Sequence, residues 1–142
     1  MKLRKVALDT NLYVDWLNRG AHEALFTGPG LVRYLPAVVH MELSVGATTR
    51  KAQLALDKLA RTYRAVGRLI VLDAQAFDVA GSALRHLRKQ GVEVRRASLV
   101  NDVLIALSAR AVGATLITAD ADYAAIASVL DFRFEMTVRQ KH

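Results

Sequence analysis

Lys5-Val6-Ala7-Leu8-Asp9-Thr10-Asn11 is the stretch on which the fold turns. A short apolar run that stops at a carboxylate and two small polar residues predicts a buried strand, about Arg4 to Leu8, delivering Asp9 to a sheet edge. Thr10 and Asn11 then open a helix. The pattern recurs late in the chain, where Thr115-Leu116-Ile117-Thr118 runs into Ala119-Asp120-Ala121-Asp122. Two strands therefore end in acid.

Working outward, helical spacing predicts a helix over Leu12 to Asn18 with Leu12, Tyr13, Trp16 and Leu17 as its apolar side, then a short helical piece from Ala21 to Phe26. A second strand, Tyr34 to Val38, leads into a helix that carries Met41-Glu42-Leu43 and closes at Gly46. An amphipathic helix follows from Arg50 to Tyr63, with Leu54, Leu56, Leu59 and Tyr63 available for burial. Leu69 to Leu72 reads as the third strand and Ala74 to Lys89 as the next helix. A loop over Val92 to Ala97 precedes a helix from Leu99 to Ala111, with Ser98 as its N-cap. The fourth strand, a helix from Tyr123 to Leu130, a strand from Phe132 to Met136 and a frayed basic tail from about 137 to 142 complete the reading. Short strands that are apolar on both faces and alternate with helices predict an α/β fold with a parallel sheet covered on both sides.

The chain has 142 residues, the size of one domain over 1–142, no cysteine and a net charge of +7. Lack of cysteine excludes disulfides and thiolate chemistry. The first residues read as neither a signal peptide nor a span, and no apolar run is long enough to cross a bilayer, so a soluble cytoplasmic protein is expected. Positive charge favours a polyanionic partner, or serves solubility alone. A basic chain that still places acids at strand ends segregates its charges.

In a parallel sheet the carboxyl ends of the strands and the first turns of the following helices share the edge where ligands bind. Asp9 and Asp120 fall on that edge, and Glu42 and Asp102 lie in the first turns of helices that start there. Both helical acids sit on apolar stripes, where a carboxylate without a partner is costly. Singly, Asp9 or Asp120 reads equally well as an N-cap, and Glu42 or Asp102 as a favourable charge near a helix dipole; Asp15, Asp57, Asp73, Asp78, Glu93, Asp131 and Glu135 read as solvated or capping residues. Four acids on one edge repel one another unless a cation intervenes. Oxygen ligands, no cysteine and no histidine pair at metal spacing point to Mg²⁺ or Mn²⁺. His22, His40, His86 and His142 are scattered and read as surface or packing residues.

Asp9-Thr10-Asn11, Met41-Glu42-Leu43 with Gly46-Ala47, Asn101-Asp102-Val103-Leu104-Ile105-Ala106, and Gly113 through Tyr123 together resemble the PIN-domain nucleases, above all the VapC-type toxins of bacterial toxin-antitoxin pairs. The resemblance covers nearly the whole chain in order and spacing. It implies an α/β/α sandwich, an endoribonuclease needing Mg²⁺ or Mn²⁺, a homodimer and a cognate VapB-type antitoxin. Carried over by position, the catalytic acids are Asp9, Glu42, Asp102 and Asp120, with Asp122 a second candidate for the last metal ligand and Thr10, Asn11, Asn101 and Thr118 as polar supports. His40 and Met41 stand where the family often has a small hydroxyl residue, and Tyr123 where it often has Phe; both departures bear on packing more than on chemistry.

Bases around the cleft are expected to meet RNA phosphates: Arg95 and Arg96 before the Asp102 helix, and Arg50 and Lys51 at the start of another. The helix Leu99 to Ala111, apolar on nearly all sides, calls for a cover that is either another helix or a second subunit. Two other readings stay open: a PIN-like module that binds without cutting, and a housekeeping RNA-processing nuclease. A phosphatase of the haloacid dehalogenase type also begins at a strand-end Asp, but it wants Asp-x-Asp, and Asn11 stands in the second place.

Overall fold

The structure is a computed structural model that describes residues 2–137. Its first strand, β1 (Arg4–Leu8), is followed by helices α1 (Thr10–Arg19) and α2 (Glu23–Thr27), then by β2 (Leu31–Pro36), α3 (Ala37–Gly46) and α4 (Arg50–Ala65). The second half runs β3 (Leu69–Ile70), α5 (Ala74–Lys89), α6 (Ala97–Ala111), β4 (Thr115–Thr118), α7 (Tyr123–Ala127) and β5 (Phe134–Met136). The strands form one sheet in the order β3-β2-β1-β4-β5, parallel throughout and flanked by helices as an α/β sandwich.

Val6, Ala7 and Leu8 are fully buried because β1 occupies the centre of the sheet. Val6 pairs with Arg33 of β2 on one side and with Thr115 of β4 on the other. From β1 the chain builds outward through β2 and β3, then crosses back to add β4 and β5 on the opposite flank. The crevice at the carboxyl ends of β1 and β4 is therefore the topological switch point, where open α/β sheets bind ligands.

Several boundaries differ from the sequence reading. The second strand starts at Leu31, because Arg4 N–H bonds the Gly30 carbonyl and pairing begins at once. It stops at Pro36, which takes the N-cap position of α3 in an extended conformation, so Val38 belongs to the helix. The third and fifth strands and α7 are shorter than expected.

Ser98 is not an N-cap: Val100 N–H already bonds the Arg96 carbonyl, α6 begins at Ala97, and no side chain caps it. In α4 the inward stripe is Leu56, Leu59, Ala60 and Tyr63, which turns Leu54 out to 50% exposure. Leu17 of α1 is likewise exposed. Asp15, read as solvated, is buried; its Oδ1 accepts from Arg19 Nη2 at 3.0 Å and its Oδ2 lies 3.4 Å from the buried His22 Nε2.

Helix α6 buries Leu99, Val103 and the run from Ile105 to Ala109, and packs against α5, α3, β2 and β4. Its apolar cover is supplied from within the chain, which removes the sequence argument that a second subunit is needed there. Among the described residues no helix is long and apolar enough to cross a membrane. The expected frayed tail lies, for residues 138–142, outside the described residues.

Candidate active site

The last hydrogen bond between β1 and β4 extends one residue past Leu8, from Asp9 N–H to the Ile117 carbonyl at 3.0 Å. Asp9 then leaves the sheet in an extended conformation and caps α1, accepting Thr10 N–H on Oδ1 at 2.9 Å. The capping reading of Asp9 thus holds. Its other oxygen accepts the Thr118 hydroxyl at 2.7 Å, and the carboxylate is 3% exposed.

Glu42 reaches the same place from α3. Its Oε1 accepts the Thr10 hydroxyl at 2.7 Å and its Oε2 accepts Asn101 Nδ2 at 3.3 Å. Asp102, the next residue on α6, is half-buried and lies 3.2 Å from the Tyr123 hydroxyl through Oδ1. The same hydroxyl lies 3.2 Å from Asp9 Oδ1. Past β4, Asp120 N–H donates to Thr118 Oγ1 at 3.0 Å, and Asp120 Oδ1 accepts Asp122 N–H at 2.9 Å. Three residues therefore tie the four acids into one network: Thr10 joins Asp9 to Glu42, Thr118 joins Asp9 to Asp120, and Tyr123 joins Asp9 to Asp102.

Burial first, and charge repulsion after it, raises the carboxyls of Asp9 and Asp102. Burial pushes the Asp9 carboxyl up from its ordinary value, against the hydrogen bonds from Thr118, Thr10 and Tyr123. Asp102 is pushed up to about 7, first by burial and then by the charge of Asp9, with Asp120 and Glu42 adding to it. The Tyr123 phenol is driven far above its ordinary range by burial and by the two acids beside it.

Among the described residues no Lys, Arg or His forms an ion pair with any of the four acids. Nor is any group of three or more His, Cys, Asp or Glu side chains there arranged to hold a metal ion. The donor chemistry nevertheless suits a hard divalent cation, since oxygen ligands are gathered without a compensating charge. Asp9, Glu42, Asp102 and Asp120 are the residues that would hold it.

Not every expected residue joins the network. Asn11 is exposed and bonds none of the acids, and Asp122 is exposed and contributes its backbone N–H rather than its carboxylate. Arg50 and Lys51 are exposed; Lys51 lines a groove of about 400 Å³ between α1, α3 and α4 that reaches Glu42. Arg95 and Arg96 are exposed just before α6, with Arg95 folded onto Glu93 through its backbone N–H and its guanidinium. Arg95 accordingly holds the Glu93 carboxyl below its ordinary value.

His40 confirms a packing role, with Nε2 3.1 Å from the Leu56 carbonyl of α4. Tyr123 corrects the sequence reading, because its departure from Phe places a hydroxyl between two acids. The only signal for it was that hydroxyl, three residues after Asp120.

The family model described as PIN domain matches residues 6–129. Among solved structures, the chain resembles one in VapBC2 from Rickettsia felis bound to a promoter DNA fragment, at 21% identity and a TM-score of 0.65, covering 94% of this chain and 98% of that one. It also resembles a chain of VapBC-1 from nontypeable Haemophilus influenzae, at 20% identity and a TM-score of 0.67, covering 93% and 97%. A chain of VapBC-5 from Mycobacterium tuberculosis is 25% identical with a TM-score of 0.61, covering 95% and 98%. No curated protein sequence matches.

Proposed function

The chain belongs to the PIN domain family, and we propose that it is a Mg²⁺- or Mn²⁺-dependent endoribonuclease, the cytoplasmic toxin of a VapBC-type pair. One observation carries the reading: Asp9, Glu42, Asp102 and Asp120, from four separate elements, are drawn into one hydrogen-bonded network at the switch point of the sheet. The fold likeness to chains of VapBC complexes supports a VapB-type antitoxin as partner. A homodimer rests on the family resemblance alone.

The reaction is hydrolysis of an RNA phosphodiester: water adds to phosphorus, the bond to the leaving ribose oxygen breaks, and the water proton is passed on as that oxygen takes one up. A divalent cation bound by the acids supplies Lewis-acid chemistry, acidifying water and offsetting charge on the phosphate. Asp9 is held through both oxygens by Thr10 and Thr118, so it is the fixed ligand. Glu42 is oriented by Thr10 and Asn101. Asp102, whose carboxyl is pushed up to about 7 chiefly by burial, would be held in its ionised form beside a bound cation.

Asp120 orients the attacking water or holds a second ion, with Asp122 as its alternative. Since Asp120 is tied to β4 by the Thr118 hydroxyl, it is the better anchored of the two. Arg95 and Arg96 meet the RNA phosphates. Arg96 stands six residues before Asp102, roughly 9 Å along the helix axis.

RNA cleavage with Mg²⁺, Mn²⁺ or EDTA tests this, comparing wild type with Asp9→Asn and Glu42→Gln. Cleavage that stops in EDTA and falls about a hundredfold or more in both variants is expected. Metal-independent cutting, or full activity in both variants, overturns the assignment. A second reading, a PIN-like module that binds without cutting, is favoured by the lack of any group of three acids already arranged for a metal among the described residues. Retained RNA binding with no cleavage in either metal would select it.

A further inference from the structure

We propose that the Tyr123 hydroxyl is a positioning residue for the metal site, keeping the Asp9 and Asp102 carboxylates together where both would be needed to hold a cation. The inference rests on the nuclease reading above and goes beyond it, to a group that is not itself an acid. Its geometry is specific. One phenol oxygen lies 3.2 Å from Asp9 Oδ1 and 3.2 Å from Asp102 Oδ1. Those two carboxylate oxygens are therefore no further apart than twice that distance, although they belong to residues far apart along the chain.

The phenol has one proton and meets two acceptors, so it cannot satisfy both anions fully. It acts as a shared donor that keeps two like charges near each other without neutralising either. A divalent cation held there would offset both charges, and the phenol would keep a remaining oxygen lone pair of either carboxylate in place. Such outer partners fix the orientation of metal ligands.

Placement of the ring is independent of the hydroxyl. Tyr123 is fully buried, with its ring beside Phe132 at 6.3 Å and Phe134 at 6.4 Å between centroids. A phenylalanine would fill the same space, which makes Tyr123→Phe a clean deletion of the donor. Thr10 and Thr118 would still hold Asp9, leaving Asp102 without its hydrogen-bonded anchor.

Titration calorimetry with Mn²⁺ at pH 8, together with thermal melting in EDTA, decides the matter. Wild type is expected to bind Mn²⁺, and Tyr123→Phe to bind it about tenfold more weakly or worse, with a melting temperature in EDTA lowered by no more than a few degrees. Equal affinity in the two proteins overturns the proposal, and a lowered melting temperature with equal affinity assigns Tyr123 to packing alone. Should wild type itself bind no Mn²⁺ at millimolar concentration, the nuclease reading falls together with this inference. A variant that matches a metal-binding wild type defeats only the inference.

Discussion

Replacing Asp102 with Asn should make the metal-free protein more stable while it disables the site. In the folded protein the Asp102 carboxyl is raised from 3.8 to about 7, chiefly by burial and then by Asp9. Below pH 4 both the folded and unfolded chains hold the proton and the shift has no effect. As pH climbs from 4 to 7 the unfolded chain releases its proton first, so wild type steadily loses stability, and above 7 the loss is complete. A shift of this size corresponds to about 4 kcal/mol at ~1.4 kcal/mol per unit, and partial solvent screening of a half-exposed carboxyl brings it down to about 2 kcal/mol.

Asparagine cannot ionise, so Asp102→Asn escapes that loss. Its advantage in EDTA should therefore be about 2 kcal/mol at pH 8, or roughly 8 °C in melting temperature, and clearly smaller at pH 5. Saturating Mn²⁺ should invert the order, because only wild type gains from the ligand. Thermal melts at the two pH values, with and without Mn²⁺, measure all of this. A variant less stable than wild type at pH 8 in EDTA, or an advantage equal at both pH values, would refute the claim that burial of the Asp102 carboxylate, reinforced by Asp9, destabilises the metal-free protein.

Three further outcomes are expected. Thr118→Val keeps the shape of a fully buried side chain but removes a donor to Asp9 and an acceptor for Asp120 N–H; urea denaturation should register a loss of about 1.5–3 kcal/mol. Arg95→Ala with Arg96→Ala should weaken binding to an uncleavable single-stranded RNA and lower the slope of log affinity against log salt by about 1 to 1.5. An unchanged slope would remove both from the RNA interface. Gly28→Ala would bring a Cβ within 2.5 Å of the Ala24 carbonyl oxygen at the end of α2; a drop of about 1–3 kcal/mol in unfolding free energy is expected, and wild-type stability would show that α2 yields easily.

Much of this site was legible in the sequence because its acids break local patterns. Asp9 ends an apolar strand run, and Glu42 and Asp102 stand on apolar helical stripes, so each is conspicuous before any contact is known. Asp120 and Asp122 are harder to rank from sequence, since the preference depends on a turn in which the Asp122 N–H reaches back to the Asp120 carboxylate. Tyr123 was not legible as chemistry, because its partners lie 114 and 21 positions away. Ser98 failed as a cap for a related reason: serine has the right chemistry, but the first helical bond forms at Arg96. Local pattern shows where a charge is unusual; which donor meets it is decided by chain crossings that periodicity does not encode.

The central place of β1 has a consequence for synthesis. Asp9 leaves the ribosome well before its partner Thr118, which lies 109 positions later, on a strand translated after α1 to α6. A nascent or truncated chain that stops short of β4 carries Asp9, Glu42 and Asp102 but neither Thr118 nor Asp120. A chain cut short before β4 would thus fold, if at all, without the Thr118 hydroxyl and the Asp120 carboxylate that complete the acid network.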